Sequence, residues 1–162
     1  MDDAQVNANA AADDVAATEY GRPEDIQIIG QTLYVANTTE DRVIALEMLK
    51  KTVASFVAVD LNVPEEDAGN QITGFNSPDN LADGPDGSLW IVEDPVPSDI
   101  WVAGEDLDHD GAADSVSLFA SMKDSGAQGT GIYFGKDPET LCVNVQHAAK
   151  PLADGTWSIT KG

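Results

Sequence analysis

The chain has 162 residues, with 29 Asp or Glu against 8 Lys or Arg, for a formal net charge of −21. That sign repels phosphate backbones and anionic headgroups, which argues against nucleic-acid and membrane partners and suits cation binding or a saline habitat. Hydrophobic residues make up 42%, ordinary for a globular domain, and no apolar run approaches the roughly 20 residues of a membrane span.

Residues 1–19 are Ala, Asp and Asn with little periodicity, which predicts a disordered lead-in. Met1-Asp2-Asp3 is acidic where a secretory signal would be basic, so no export peptide is expected. From residue 20 on, short runs rich in Val, Ile and aromatics alternate with Gly, Pro, Asn or Asp and predict strands. They fall at 33–36, 42–46 and 53–59, then at 89–92, 99–103 and 115–119, then at 128–134, 140–146 and 156–160. Ile29-Gly30-Gln31 and Pro85-Asp86-Gly87 read as hairpin turns between paired runs.

One phrase recurs at the head of each group. Arg22-Pro23-Glu24-Asp25-Ile26 opens the first, Ser77-Pro78-Asp79-Asn80-Leu81 the second and Gly126-Ala127-Gln128-Gly129-Thr130 the third, with steps of 55 and 49 residues from Glu24 to Asp79 to Gln128. That period is close to the roughly 40–50 residues of a β-propeller blade. The sequence therefore predicts an all-β, partial β-propeller of two to three four-stranded blades near 22–60, 77–122 and 126–160. A single β-sandwich with coincidental repeats is the competing architecture. A propeller ring takes four to eight blades, so the expectation is a portion of a larger protein, or part of a ring completed by another chain. In a propeller the first strand of each blade lines the central channel, and an acid or amide at Glu24, Asp79 and Gln128 would converge there as a metal site.

A second acidic motif is sharper. Asp106-Leu107-Asp108-His109-Asp110-Gly111-Ala112-Ala113-Asp114 carries acids at loop positions 1, 3, 5 and 9 and Gly at 6. Alternate acids curl round a hard cation, the Gly makes the sharp turn and Ala112 offers its carbonyl. Position 12 is Ser117 rather than a bidentate Glu, and strands flank the loop. The reading is a structural calcium-pinned hairpin between the third and fourth strands of a blade, with a plain acidic turn as the alternative. Cys142 falls where Tyr34 and Trp90 fall in the other groups, a packed position where a thiol is inert. The two histidines, His109 and His147, are too few and too scattered for zinc. His147 reads as a capping or surface residue, with the channel as the alternative.

Together these phrases resemble the PhoX-type bacterial alkaline phosphatases, secreted six-bladed propellers. The residues that carry it are Arg22 to Asp25, Ser77 to Leu81 with Leu89-Trp90-Ile91, and Gly131-Ile132-Tyr133-Phe134 leading to Val143-Asn144-Val145-Gln146-His147. The resemblance covers residues 20–150 and that family's C-terminal half. It implies Glu24, Asp79 and Gln128 as metal ligands, Arg22 as the holder of a substrate phosphate, Ca²⁺ and Fe³⁺ as cofactors, phosphate monoesters as substrate, and a periplasmic or secreted location. Gln128 stands where that family has Glu, which removes one charge from the site. The family's remaining ligands, a thiolate on iron among them, belong to its N-terminal half, so the chain alone is expected to be inactive. A non-catalytic, calcium-stabilised propeller segment for binding or scaffolding, and a calcium-dependent phosphodiesterase or lactonase, are the alternative functions.

Overall fold

In a computed structural model, which describes residues 8–64, 74–124 and 126–160, the strand-forming runs pair into three antiparallel sheets. Sheet 1 consists of β1 (Pro23–Ile29), β2 (Thr32–Asn37), β3 (Arg42–Glu47) and β4 (Thr52–Ala58), hydrogen-bonded in chain order. Sheet 2 repeats that order with β5 (Pro78–Asp83), β6 (Leu89–Glu93), β7 (Asp99–Ala103) and β8 (Val116–Ser121). Sheet 3 has β9 (Gln128–Phe134), β10 (Thr140–Gln146) and β11 (Gly155–Thr160), with β10 in the centre. None of the sheets closes into a barrel. The lead-in, expected to lack structure, carries one helix, α1 (Ala8–Asp14); four of its seven residues are Ala, the strongest helix former.

Turn chemistry sets the hairpins where the sequence places them. Gly30 takes a left-handed φ of 59° between β1 and β2, a conformation open to a residue without Cβ. Between β5 and β6, Asp86 Oδ1 accepts from both the amide (3.1 Å) and the hydroxyl (2.5 Å) of Ser88, and the Gly84 amide closes the turn onto the Ser88 carbonyl at 2.7 Å. Alternation along the strands then decides what is buried. In β10, Leu141, Val143 and Val145 are buried, while the residues between them are half-exposed.

The sheets stack face to face, and sheet 2 is covered on both sides. Leu81, Leu89, Ile91 and Trp101 pack against Ala36, Val43, Phe56 and Val57 of sheet 1. From the opposite face, Ala82, Val92 and Ile100 pack against Ile132, Leu141 and Val143 of sheet 3.

Sheets 1 and 2 are equivalent position by position. Val35 pairs with Ile44 as Ile91 pairs with Trp101, and Leu46 pairs with Val53 as Ala103 pairs with Val116. Both first strands shift register at the same place, between Pro23 and Ile26 and between Pro78 and Asn80.

At the inner edge of the stack, β1 packs against β5 and β5 against β9. A recurring side-chain clamp joins them. Asp25 Oδ2 accepts the Leu81 amide of β5 at 2.8 Å. Its counterpart Asn80 accepts the Gly131 amide of β9 at 2.5 Å and the Thr130 hydroxyl at 3.0 Å. By strand pairing the third counterpart is Gly131, since Ile132 pairs with Val143 as Leu81 pairs with Ile91, and it carries no side chain to send on. Two residues earlier, Gly129 brings β9 so close to sheet 2 that a Cβ would run into a Val92 methyl.

Equivalence also explains the buried polar groups. Glu93, at the end of β6, is 1% exposed and accepts the Asn76 amide (2.8 Å) and the Trp101 indole N–H (2.9 Å). The same position in sheet 1 is Asn37, fully buried with neither amide atom bonded. Where Glu93 has Trp101, Asn37 faces Ile44, which has no side-chain donor. Where Glu93 has the Asn76 amide, Asn37 has Gly21, whose N–H goes to Glu40 at 2.6 Å. Asn37 therefore occupies a buried polar place from which both donors have been removed.

Two outcomes follow from this packing. Replacing Asn80 with Ala strands the Gly131 amide inside the stack, and urea denaturation should register a loss of about 1–3 kcal/mol; an unchanged midpoint would show that the clamp does not hold the sheets. Burial, reinforced by the field of Asp99 and Asp41 and opposed by the Asn76 and Trp101 N–H groups, pushes Glu93 from an ordinary 4.5 up to about 8. Between those values the folded chain keeps a proton that the unfolded chain releases. The stabilisation is complete below pH 4.5 and lost as pH rises towards 8. Relative to Glu93→Gln, the native chain should lose stability across that window at up to about 1.4 kcal/mol per pH unit, as measured by unfolding at fixed pH values; parallel profiles would contradict it.

Candidate metal centre

The recurring acids lie where the first strands meet. Arg22 and Ser77, equivalent residues ahead of β1 and β5, both take a left-handed φ, 51° and 46°, a conformation uncommon for non-glycine residues. The register shift that follows in each strand re-aims the side chains at Glu24 and Asp79, as bulges do. Arg22 turns back on its own strand, and its Nε and Nη2 both reach Glu24 Oε1, at 3.0 and 2.8 Å.

Asp79, half-buried on β5, reports what surrounds it. Its carboxyl is pushed from an ordinary 3.8 to about 6 by burial first, then by the charges of Asp94, Glu24 and Asp25, with Arg22 pulling the other way. Two residues expected for the site, Glu24 and Arg22, thus share one electrostatic field with the third, Asp79. A cation placed among these carboxylates relieves the repulsion that Asp79 records. Gln128 begins β9 opposite Gln146 on β10, and β9 adjoins β5. Asp94 was not singled out from the sequence. It directly follows β6, as Thr38 follows β2, and its amide bonds the Ser77 carbonyl at 3.0 Å. Asp25 stands inside the quoted phrase but serves the clamp and the field together.

The acids set closest together lie elsewhere. Among the described residues, the one group of three or more carboxylate, imidazole or thiol side chains with ligand atoms within 4.8 Å of one another is Asp106, Asp108 and Asp110. They occupy the loop joining β7 to β8, the third and fourth strands of sheet 2. The loop coils on its own carboxylates. Asp106 accepts the amides of Asp110 (3.1 Å) and Gly111 (2.9 Å), and Asp108 also accepts from Asp110 at 3.2 Å. Asp110 accepts from Ala112 at 2.8 Å.

Gly111 has a φ of 97°, and a Cβ there would lie 2.6 Å from that of Ala54 in sheet 1; both constraints require glycine. The loop is tied to β4 as well. The Ala113 amide bonds the Phe56 carbonyl at 2.9 Å, and Asn62 Nδ2 donates to the carbonyls of both residues at 2.9 and 2.8 Å. Of the four expected carboxylates, three come together. Asp114 lies outside the group and instead accepts the Leu107 amide at 2.8 Å.

Three clustered carboxylates are an all-oxygen donor set, which fits Ca²⁺. The inner-strand acids are also oxygen donors, and no thiol stands with them to hold a thiolate-ligated iron. Cys142, expected to be buried, is half-buried; it lies on the face of β10 opposite Leu141 and Val143, beside Tyr133, whose pKa is raised by its hydrogen bond to the thiol. Cys142 shares the position of Tyr34 and Trp90, but among the described residues no further sheet covers it. His147 is exposed just past β10, with a left-handed φ of 59°.

If the β7–β8 loop holds calcium, the ion should raise the melting temperature, with a contribution of about 2.7 kcal/mol at a hundred times the dissociation constant. Asp108→Ala should remove that contribution, which Asp79→Asn leaves in place. A full response in the Asp108 variant would remove the loop as the site.

No protein-family model and no curated protein sequence matches the chain. Among solved structures the chain is similar to the hydrazine synthase of Kuenenia stuttgartiensis, at 14% identity and a TM-score of 0.42, over 87% of this chain and 51% of that one. The chain spans about half the length of that structure.

Proposed function

We propose that the chain is part of a propeller-type, metal-dependent phosphomonoesterase of the PhoX kind. In this reading the three sheets are successive blades, and β1, β5 and β9 are their innermost strands. The observation that supports it is the shared field of Arg22, Glu24, Asp25, Asp79 and Asp94 where those strands adjoin. Bound Ca²⁺ would supply a Lewis acid for a phosphoryl oxygen. Glu24 and Asp79 would hold it, with Gln128 as a neutral oxygen donor. Iron, implied by the family resemblance, would need ligands beyond the oxygen donors present at this junction.

Arg22 has the planar fork that matches two phosphate oxygens. Its bond to Glu24 keeps the guanidinium partly neutralised, and a cation drawing Glu24 away would turn the fork towards an incoming phosphate. With the proposed family goes a periplasmic or secreted location.

The second reading is a calcium-stabilised segment without catalysis. It is favoured by Gln128 in place of a carboxylate and by the closest acids lying in the β7–β8 loop rather than on the inner strands.

Titration calorimetry with inorganic phosphate in the presence of calcium separates the two. The esterase reading expects Arg22→Ala to weaken phosphate binding about tenfold, a difference of about 1.4 kcal/mol. Equal binding by the variant would overturn it. The chain by itself, supplied with iron and calcium, should show no turnover of p-nitrophenyl phosphate above background, and turnover would refute the need for ligands from outside.

A further inference from the structure

Sheet 1 carries an apolar face with nothing from the other two sheets against it. Ile26, Ile28 and Val53 are 58, 52 and 50% exposed. By strand pairing they share that face with Leu33, Val35 and Leu46, around a buried Ile44. These residues carry no charge, in a chain of net charge −21; Arg42, whose Nη1 donates to Ser55 at 3.5 Å, bounds the face at the Asn37 end. Four strands about 4.8 Å apart and six residues long at about 3.4 Å each make a plane of about 400 Å², of which the apolar residues fill the larger part. That is the scale at which an exposed apolar patch marks an interaction site.

The repeat shows what such a face is for. Ile26, Leu33, Val35 and Val53 are the counterparts of Leu81, Leu89, Ile91 and Val116 in sheet 2. Those four are at most 7% exposed because sheet 1 lies over them. The surface of sheet 1 that covers them presents Tyr34, Ala36, Val43, Ala45 and Phe56.

We infer that the open face of sheet 1 is the seat of a further four-stranded antiparallel sheet, one presenting the mixture of small aliphatic and aromatic residues that sheet 1 itself presents to sheet 2. The stack of three sheets thus continues at the sheet 1 end. The occupant is not a second copy docked head to tail. The outer face of sheet 3, the surface such a copy would offer, carries Tyr133, Cys142, Asn144, Thr156 and Ser158 along its paired strands, and hydroxyls and an amide laid on Ile and Val would lose water that those apolar side chains cannot replace. The inference rests on the blade reading proposed above and not on its phosphate chemistry.

The probe is the surface known to fit the equivalent face: a second copy of residues 21–76 placed ahead of Gly21 in the full chain. With Cys142→Ser as background, Ile26→Cys is introduced either in the added copy or in the original position, and the rate of maleimide labelling is measured. Docking should slow labelling at the original position at least tenfold, as expected for a residue buried like Leu81, and leave the added copy fast. Equal rates would overturn the inference.

Two measurements on the unextended chain keep it testable should the extended one misfold. The open face should bind the dye ANS, and Ile26→Lys with Val53→Lys should remove that binding; no dye binding by the native chain would show the face to be covered already. Light scattering at tens of micromolar should find a monomer, whereas a dimer lost in the double-lysine variant would assign the face to a second copy instead. Calcium and phosphate binding are read separately, so failure here leaves the esterase reading standing or falling by its own test.

Discussion

The stack is organised by a hydrogen bond that a first strand sends sideways into the next one. Neighbouring sheets touch through their faces, and a backbone N–H turned into that junction has no strand partner and little water. Asp25 supplies the acceptor for Leu81, and Asn80 supplies it for Gly131. A buried amide left without an acceptor costs more than one bond contributes, so the position one residue past each recurring acid is constrained to carry a short side chain with an oxygen. At the third repeat Gly131 takes that position, with a left-handed φ of 52° and no side chain to offer a further strand.

This arrangement links the scaffold to the candidate centre. Along a strand, successive side chains point to opposite sides. Glu24 and Asp25, and Asp79 and Asn80, therefore divide two tasks between adjacent residues: one is offered to the acidic junction and the next anchors the neighbouring sheet. The register shifts in β1 and β5 fall at these pairs. The pKa of Asp79 is raised first by burial and then by Asp94 and Glu24, and the clamp residue Asp25 adds its charge to the same field. Arg22 is the compensating cation, and its left-handed backbone is what brings it over Glu24.

Much of the fold was legible in the sequence because both period and punctuation point the same way. The run 99–103 coincides with β7, and 128–134 and 140–146 coincide with β9 and β10. What could not be read is what depends on contacts between sheets. Asp94 carries no motif of its own and matters only because β6 ends beside the start of β5. Glu93 is one more acid among 29 until Trp101 and Asn76 are seen to enclose it. Cys142 shares a sequence position with Trp90, yet Trp90 packs edge-on against Phe119 and Phe134 while Cys142 faces outward. In the acidic loop the spacing of Asp106, Asp108 and Asp110 was informative, whereas the displacement of Asp114 onto the Leu107 amide is a matter of backbone geometry that spacing does not encode.

Sheet 2 differs from its neighbours in being buried on both faces, and this ranks the parts of the molecule by how they come apart. Sheet 1 or sheet 3 can detach by opening a single interface, leaving the other pair intact. Sheet 2 can open only when both interfaces fail. Amide exchange in β6 and β7 therefore reports the global transition, while β1 and β11 exchange through smaller, cheaper openings. The calcium-type loop leaves sheet 2 and grips β4, so it joins the most persistent part of the molecule to the outermost strand of sheet 1. An ion held there would act less on the core than on the frequency with which sheet 1 swings free.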